Sequence, residues 1–184
     1  MRKPLEQAHD FLAEILTPKS VAVDATMGQG FDTLFLAQRA GRVYAFDIQE
    51  QALAMTQKRL GQQFTQVKLI HDSHERVADY VKEPINAAIF NLGYLPRADK
   101  SVITRPETTL AALEQILLRL VAGGRLSVMV YYGHEGGLEE KNRVLDFLSQ
   151  LPQEDFSVMS YQALNQINCP PFLVMVEKLA KGSD

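Results

Sequence analysis

The chain has 184 residues, 46% of them apolar and 22% charged, with a formal net charge of −3. That length fits one domain over 1–184 with a full hydrophobic core. The acidic balance excludes a protein that grips nucleic acid by bulk charge, so an RNA partner would need a local basic patch. Apolar runs far below the roughly 20 residues of a membrane span exclude a transmembrane helix. The opening MRKPLEQAHDFLAEIL is interrupted by Glu6, Asp10 and Glu14, unlike a signal peptide. Cys169 is the only cysteine, which excludes an intrachain disulfide and suits a reducing cytoplasm.

In chain order, Leu5, Ala8, Phe11, Leu12, Ile15 and Leu16 recur at helical spacing until Thr17-Pro18 stops the helix. SVAVDAT (Ser20 to Thr26) is a β-branched strand, MGQG a glycine turn, and FDTLFLAQRA a helix. RVYAFDI (Arg42 to Ile48) is a second strand. The helix EQALAMTQKRLGQQF turns Ala52, Met55, Leu60 and Phe64 inward. QVKLIHD (Gln66 to Asp72) is a third strand, HERVADYV a short helix and INAAIFNL a fourth strand. After a polar loop from Pro96 to Arg105, Pro106 suits the first turn of a helix. Leu110, Leu113, Ile116, Leu117 and Leu120 give that helix its apolar stripe. AGGRLSVMVYY turns into a fifth strand, a helix follows near Glu139 to Leu151, and FSVMSYQA and PFLVMVEK are two late strands.

Strands alternating with helices imply a doubly wound α/β sheet, parallel and covered on both faces. The last two strands have no helix between them and are expected as an antiparallel pair at one edge. That ending differs from the repeated βαβ of a dinucleotide dehydrogenase. In such a sheet ligands bind at the carboxyl ends of the strands.

Four constellations fall at those ends. In DATMGQGFDT, Gly28 and Gly30 let the backbone approach a ligand. Position 33 is Thr, so the third glycine of a dinucleotide fingerprint is absent. Asp24 would repel a pyrophosphate but favour an amino-bearing ligand. Asp47 ends the second strand 19 residues beyond Gly28, where an acid accepts from ribose hydroxyls. In HDSHE, Asp72 can accept from an adenine amine and the adjoining N–H can bond a ring nitrogen. His71, His74 and Glu75 invite a metal reading, but residues this tightly packed cannot all converge on one ion, and no metal is expected.

The fourth constellation is NLGYLP, Asn91 to Pro96. A methyl on a sulfonium is attacked in line by an amine whose lone pair must be aimed. The Asn91 side-chain oxygen and the Leu92 carbonyl can accept that amine's hydrogens, and Tyr94 can stack on the ring that bears it. Gly93 permits a tight path between them.

With these residues in this order, the chain resembles a class I, S-adenosylmethionine-dependent methyltransferase with a Rossmann-like, seven-stranded sheet whose last strand is antiparallel. NLGY is similar to the Asn-Pro-Pro-Tyr motif of amino-methylating enzymes. NLGYLP, DKSVIT, YYGHEGG and NCPPFLVMVEK resemble the signatures of a narrower family, the rRNA-methylase group of the YtqB and MnmM type. The resemblance implies S-adenosylmethionine contacts at Asp24, Thr26, Gly28, Gly30, Asp32, Thr33, Asp47, Ile48, Asp72 and Ser73. It implies catalytic roles for Asn91, Leu92 and Tyr94. It implies methylation of 5-aminomethyl-2-thiouridine at the tRNA wobble position, giving 5-methylaminomethyl-2-thiouridine.

Arg97, Lys100 and Arg105 put three positive charges within nine residues, the cluster that phosphate contacts need. Tyr131, Tyr132 and His134 can wall a base pocket, with Gly133, Gly136 and Gly137 making a mobile lid. The expected partner is the anticodon stem-loop of tRNA, with no membrane, and a homodimer is left open. Cys169 is expected to be a buried spectator. The competing readings are a methyltransferase acting on rRNA or a small amine, an NAD-dependent oxidoreductase, and a non-catalytic RNA-binding module.

Overall fold

The structure, a computed structural model, describes residues 1–93, 104–133 and 136–180. The elements run α1 (Pro4–Ala13), β1 (Val21–Asp24), α2 (Phe31–Ala37), β2 (Arg42–Asp47), α3 (Glu50–Leu60), β3 (Val67–His71), a 3₁₀ turn (His74–Arg76), α4 (Val77–Tyr80), β4 (Ile85–Leu92), α5 (Pro106–Arg119), β5 (Leu120–Val130), α6 (Gly137–Ser149), β6 (Phe156–Tyr161) and β7 (Phe172–Lys178). Seven strands form one sheet in the order β3-β2-β1-β4-β5-β7-β6. β7 enters antiparallel between β5 and β6, so the late pair is antiparallel as expected and β6 is the edge.

Alternation along each strand sends side chains to two layers. Ala87 and Ile89 of β4 join Leu12, Leu36, Val43 and Leu60 beneath α1, α2 and α3. Ala88, Phe90 and Leu92 join Leu113, Ile116, Val144 and Leu148 beneath α5 and α6. Because β4 is buried on both faces, it reads as a continuous apolar run.

Three boundaries differ from the sequence expectation. α1 ends at Ala13, while Ile15 and Leu16 pack on the core from outside the helix. α3 ends at Leu60, because Gly61 takes a φ of 64° and its N–H closes on the Gln57 carbonyl. The buried row of α3 is Ala52, Thr56 and Leu60; Met55 is half-buried. Leu120 leaves α5 and opens β5 opposite Ile85, with a register shift before Ala87 that Gly123 absorbs at φ 74°.

The strand order reverses between β1 and β4, and the crevice at their carboxyl ends is the place for a ligand. The turn leading into α2 borders it. Gly30 caps α2 with a φ of 77°, and a Cβ there would lie 2.7 Å from Thr56 Oγ1 and 2.9 Å from its Cα. Gly61 shares the left-handed φ but would place its Cβ in open space. With a ψ of −144°, Gly61 lies outside the left-handed helical basin, and Gly61→Ala should cost about 1–3 kcal/mol of backbone strain alone. Gly30→Ala should cost about 1–2 kcal/mol of backbone strain and a further ~1–3 kcal/mol from overpacking against α3. A total loss of no more than ~2 kcal/mol for Gly30→Ala in chemical denaturation would show that Thr56 yields freely.

Candidate functional site

A cavity of about 1080 Å³ opens at the carboxyl ends of β1 to β4. Its wall includes Leu5 and His9 of α1, Thr26 to Gln29, Asp32, Asp47 to Gln49, Asp72 to His74, Asn91 to Gly93 and Tyr131 to Gly133. The turn over it is fastened from α3: Thr56 Oγ1 donates to the Gly28 carbonyl at 3.3 Å and Arg59 Nε to the Gln29 carbonyl at 2.7 Å. The Arg59 guanidinium also covers the exposed Phe31 ring, 3.4 Å from its centroid.

At one end of the cavity Asp47 accepts N–H groups from Gly28 and Gln49, each at 3.0 Å. Burial raises its pKa, and those backbone N–H groups oppose the rise. A carboxylate has about four acceptor positions, so with its backbone donors Asp47 keeps acceptor capacity for a ligand hydroxyl. Ile48 follows with more than half its surface exposed on the wall, a platform for a flat ring. Asp72 accepts from Tyr80 Oη at 2.7 Å and from the Ser73 N–H at 2.8 Å. The Tyr80 hydroxyl is the main cause holding its pKa below the usual carboxylate range. The Ser73 N–H is therefore already engaged.

His71 and His74 diverge, with His71 Nε2 on the Ile48 carbonyl and His74 Nδ1 on the Ala25 carbonyl, both at 3.0 Å. His74 is buried against Phe90, and burial lowers its pKa. The neutral ring donates from Nδ1 and leaves Nε2 as a buried acceptor without a partner among the described residues.

Asp24 departs from expectation. It is fully buried and is not on the cavity wall. Thr33 Oγ1 donates to it at 2.6 Å and the Thr26 N–H at 3.2 Å. Burial first, and the nearby Asp32 charge second, push its pKa up to about 8. Placed off the wall, this carboxyl braces the turn through Thr26 and Thr33. Thr33 and Gly30 also lie off the wall, Thr33 because it serves Asp24 and Gly30 because Thr56 abuts it. Asp32 stands on the wall instead.

Asn91 ends β4 with its N–H donated to Thr26 Oγ1 at 2.7 Å. Its Nδ2 donates to Asp32 Oδ2, and Asp32 Oδ1 is 2.5 Å from His9 Nε2. Asn91 Oδ1 is left buried, with no donor among the described residues. The Leu92 carbonyl accepts the Tyr131 N–H at 3.2 Å, which leaves it one further lone pair. Gly93 has a φ of 145° and is clamped to Thr104: its N–H donates to Thr104 Oγ1 and its carbonyl accepts the Thr104 N–H, both at 2.9 Å. The Thr104 and Thr109 hydroxyls donate to the buried Glu140 at 2.6 and 2.8 Å.

Tyr131 and Tyr132 both reach the wall, and Tyr132 packs edge-on to Phe172 beneath Lys141. Arg105 is exposed at the wall beside Thr104. Cys169, expected to be buried, is exposed on the wall near Gly133. Tyr94, Arg97, Lys100 and His134 lie outside the described residues. His9, Thr104 and Glu140 went unread in the sequence because their partners are remote in the chain. The only hint for His9 is its place four residues after Leu5, flanking the apolar stripe of α1.

A reversed last strand on a doubly wound sheet, with a glycine turn and strand-end acids around one crevice, defines a Rossmann-like fold of the class I methyltransferase type. The chain belongs to the family described as "Putative rRNA methylase", whose model matches residues 43–177. It is 35% identical to the chloroplastic tRNA (mnm5s2U34)-methyltransferase of Arabidopsis thaliana, over 96% of this chain and 70% of that protein. A "putative methyltransferase" from Streptococcus mutans, solved in complex with SAH, is 57% identical with a TM-score of 0.93, covering 97% of this chain and 99% of that one. A "putative rRNA-methylase" from Clostridium thermocellum is 44% identical with a TM-score of 0.95, at the same coverage.

The Asp24 carboxyl holds its proton to about pH 8 in the fold, against an ordinary value of 3.8. Between those values the native state binds one proton more than the unfolded chain, so stability falls as pH rises through the window. Asp24→Asn has no such proton. Its Tm should gain on the wild type steadily from about pH 5 to about pH 8. Thermal melts by circular dichroism with a pH-independent difference would show that Asp24 ionises normally.

Proposed function

We propose that this protein methylates the exocyclic amine of 5-aminomethyl-(2-thio)uridine at tRNA wobble position 34, with S-adenosylmethionine as methyl donor, giving 5-methylaminomethyl-(2-thio)uridine. The observation that carries the reading is Asn91: an amide at a strand end, its nitrogen tied back to Asp32, its oxygen without a donor. That oxygen can take one hydrogen of an amine, and the remaining lone pair of the Leu92 carbonyl can take another. The name of the Arabidopsis relative, a tRNA wobble methyltransferase, supports the choice of acceptor.

The cavity residues fit the donor. Asp47 has acceptor capacity for ribose hydroxyls, Ile48 and Asp72 for the face and amine of adenine, and Gly28 and Thr26 border the path between them. Asp24 and Thr33 support this wall from behind. Bound S-adenosylmethionine supplies an electrophilic methyl group on its sulfonium. The protein then has to hold the amine neutral, aimed and dry. Asn91 and Leu92 orient its lone pair toward the methyl carbon, which recovers much of the entropy of a two-body encounter. No strong general base is needed, because a neutral amine is already a nucleophile. Arg105 is proposed to meet a phosphate, together with Arg97 and Lys100, and Tyr94, Tyr132 and His134 to meet the base.

Two measurements test the reading. Asp47→Ala should weaken S-adenosylmethionine binding by roughly 1.5–3 kcal/mol in titration calorimetry, the size of a charged hydrogen bond; unchanged affinity removes Asp47 from the donor site. Purified protein with S-adenosylmethionine and tRNA carrying 5-aminomethyl-2-thiouridine should yield the N-methylated nucleoside by mass spectrometry. The same tRNA with unmodified uridine 34 should yield nothing, since it lacks the nucleophile. Methylation of rRNA alone would overturn the wobble assignment and leave the class intact.

A further inference from the structure

The amide that aims the acceptor is itself aimed. Three elements converge on it: β4 brings Asn91, the first turn of α2 brings Asp32, and α1 brings His9. Asp32 is nearly sealed, with 8% of its side chain exposed, and both of its oxygens are engaged by protein, one by Asn91 Nδ2 and one by His9 Nε2. The His9 ring lies flat on Phe35, 4.0 Å between centroids and 4° between planes. Asp32 is therefore held by a ring whose plane is set by its stack on Phe35.

From this geometry we infer that His9 and Asp32 are positioning residues: they lock the Asn91 amide so that Oδ1, never Nδ2, faces the acceptor amine. The inference rests on Asn91 as the group that orients the amine. A carboxylate only accepts hydrogen bonds, and an amide has one donating and one accepting end. With the carboxylate on one side, the flipped amide would set oxygen against oxygen and lose its partner. A flipped Asn91 would also offer N–H groups to the amine and tie up its lone pair. The orientation thus decides whether the amine attacks. The Asp32 charge reaches further, as it helps keep Asp24 protonated and raises the Tyr131 hydroxyl after burial. Asp32 is read here as a support for the acceptor side, not as a contact to the methyl donor.

Asp32→Asn replaces the carboxylate by a group that can donate to Asn91 Oδ1, so the amide loses its bias. It should lower kcat by about 100-fold, the scale of one misplaced hydrogen-bonding group in an active site. The Kd for S-adenosylmethionine should stay within about 3-fold, because no donor contact is removed. His9→Phe keeps the stack on Phe35 and removes the Nε2–H; His9→Gln removes the stack and keeps a donor. His9→Gln should retain about 5-fold more kcat than His9→Phe. A second readout needs no substrate: the Asn91 side-chain ¹⁵N amide protons, assigned by their loss in Asn91→Ala, should be protected from exchange in the wild type and in His9→Gln and less so in His9→Phe and Asp32→Asn. Wild-type kcat in Asp32→Asn, an equal loss of donor affinity, or protection unchanged in His9→Phe and Asp32→Asn would each overturn the inference. Protected amide protons in a wild type that does not methylate the aminomethyl tRNA would uphold the positioning and refute the substrate.

Discussion

The site is organised by a carboxyl group that cannot reach water. Asp24, at the end of β1 beside the central strand β4, is fully buried and takes its hydrogen bonds from Thr33 and Thr26. Thr26 Oγ1 receives the Asn91 N–H from β4, Asn91 Nδ2 reaches Asp32 on α2, and Asp32 meets His9 on α1. One polar chain thus stitches two helices to the two strands that flank the crevice. Such a network is costly where a member is left unsatisfied, as Asn91 Oδ1 is among the described residues, or must give up its charge. Asp24 is pushed toward its protonated form first by burial and second by the nearby Asp32 charge.

Asp47 and Asp72, at the ends of β2 and β3, differ for a related reason. Asp47 sits where water is partly excluded, so its pKa rises despite the backbone donors of Gln49, Gly28 and Ile48. Asp72 sits near the surface, where Tyr80 and Arg76 outweigh the slight desolvation and its pKa falls. Both retain acceptor capacity. The cavity therefore has acceptors at both ends, an apolar ledge at Ile48 and a backbone-lined passage at Gly28 between them. That layout suits a long ligand with hydroxyl and amino donors better than a pyrophosphate, which needs N–H groups and cations.

Much of the fold was legible in the sequence because its strands are short, β-branched and separated by helices with clear periods. The strand-end acids and NLG could be placed because topology alone sends strand ends to the crevice. What failed was anything that depends on depth. Asp24 in a sequence is a charge; only its packing behind Thr33 makes it a neutral brace. Cys169 in NCPPF looked like a buried thiol, yet the long connection from β6 to β7 leaves it exposed. His9 was invisible because its partner is 23 residues away on another helix, and no local period records such a pairing. The ends of α1 and α3 were overextended for a simpler reason: apolar residues that pack just beyond a helix preserve its pattern.

The clamp between Gly93 and Thr104 joins the end of β4 to the chain that leads into α5. Its reciprocal bonds lie at one point, immediately after Asn91 and Leu92. The point itself is anchored from below, since Thr104 and Thr109 both donate to Glu140, a carboxylate held at 2% exposure on α6. A buried acid with two hydroxyl donors fixes α5 and α6 to the loop base, so the base cannot drift from the end of β4. Arg105, exposed on the cavity wall next to Thr104, is thereby held beside the crevice. In a protein of net charge −3 the position of a cation matters more than the number of cations, because its field reaches only a Debye length of about 8–10 Å. A cation fixed at the crevice would draw an anion toward it, whereas the same charge elsewhere on the surface would draw it nowhere in particular.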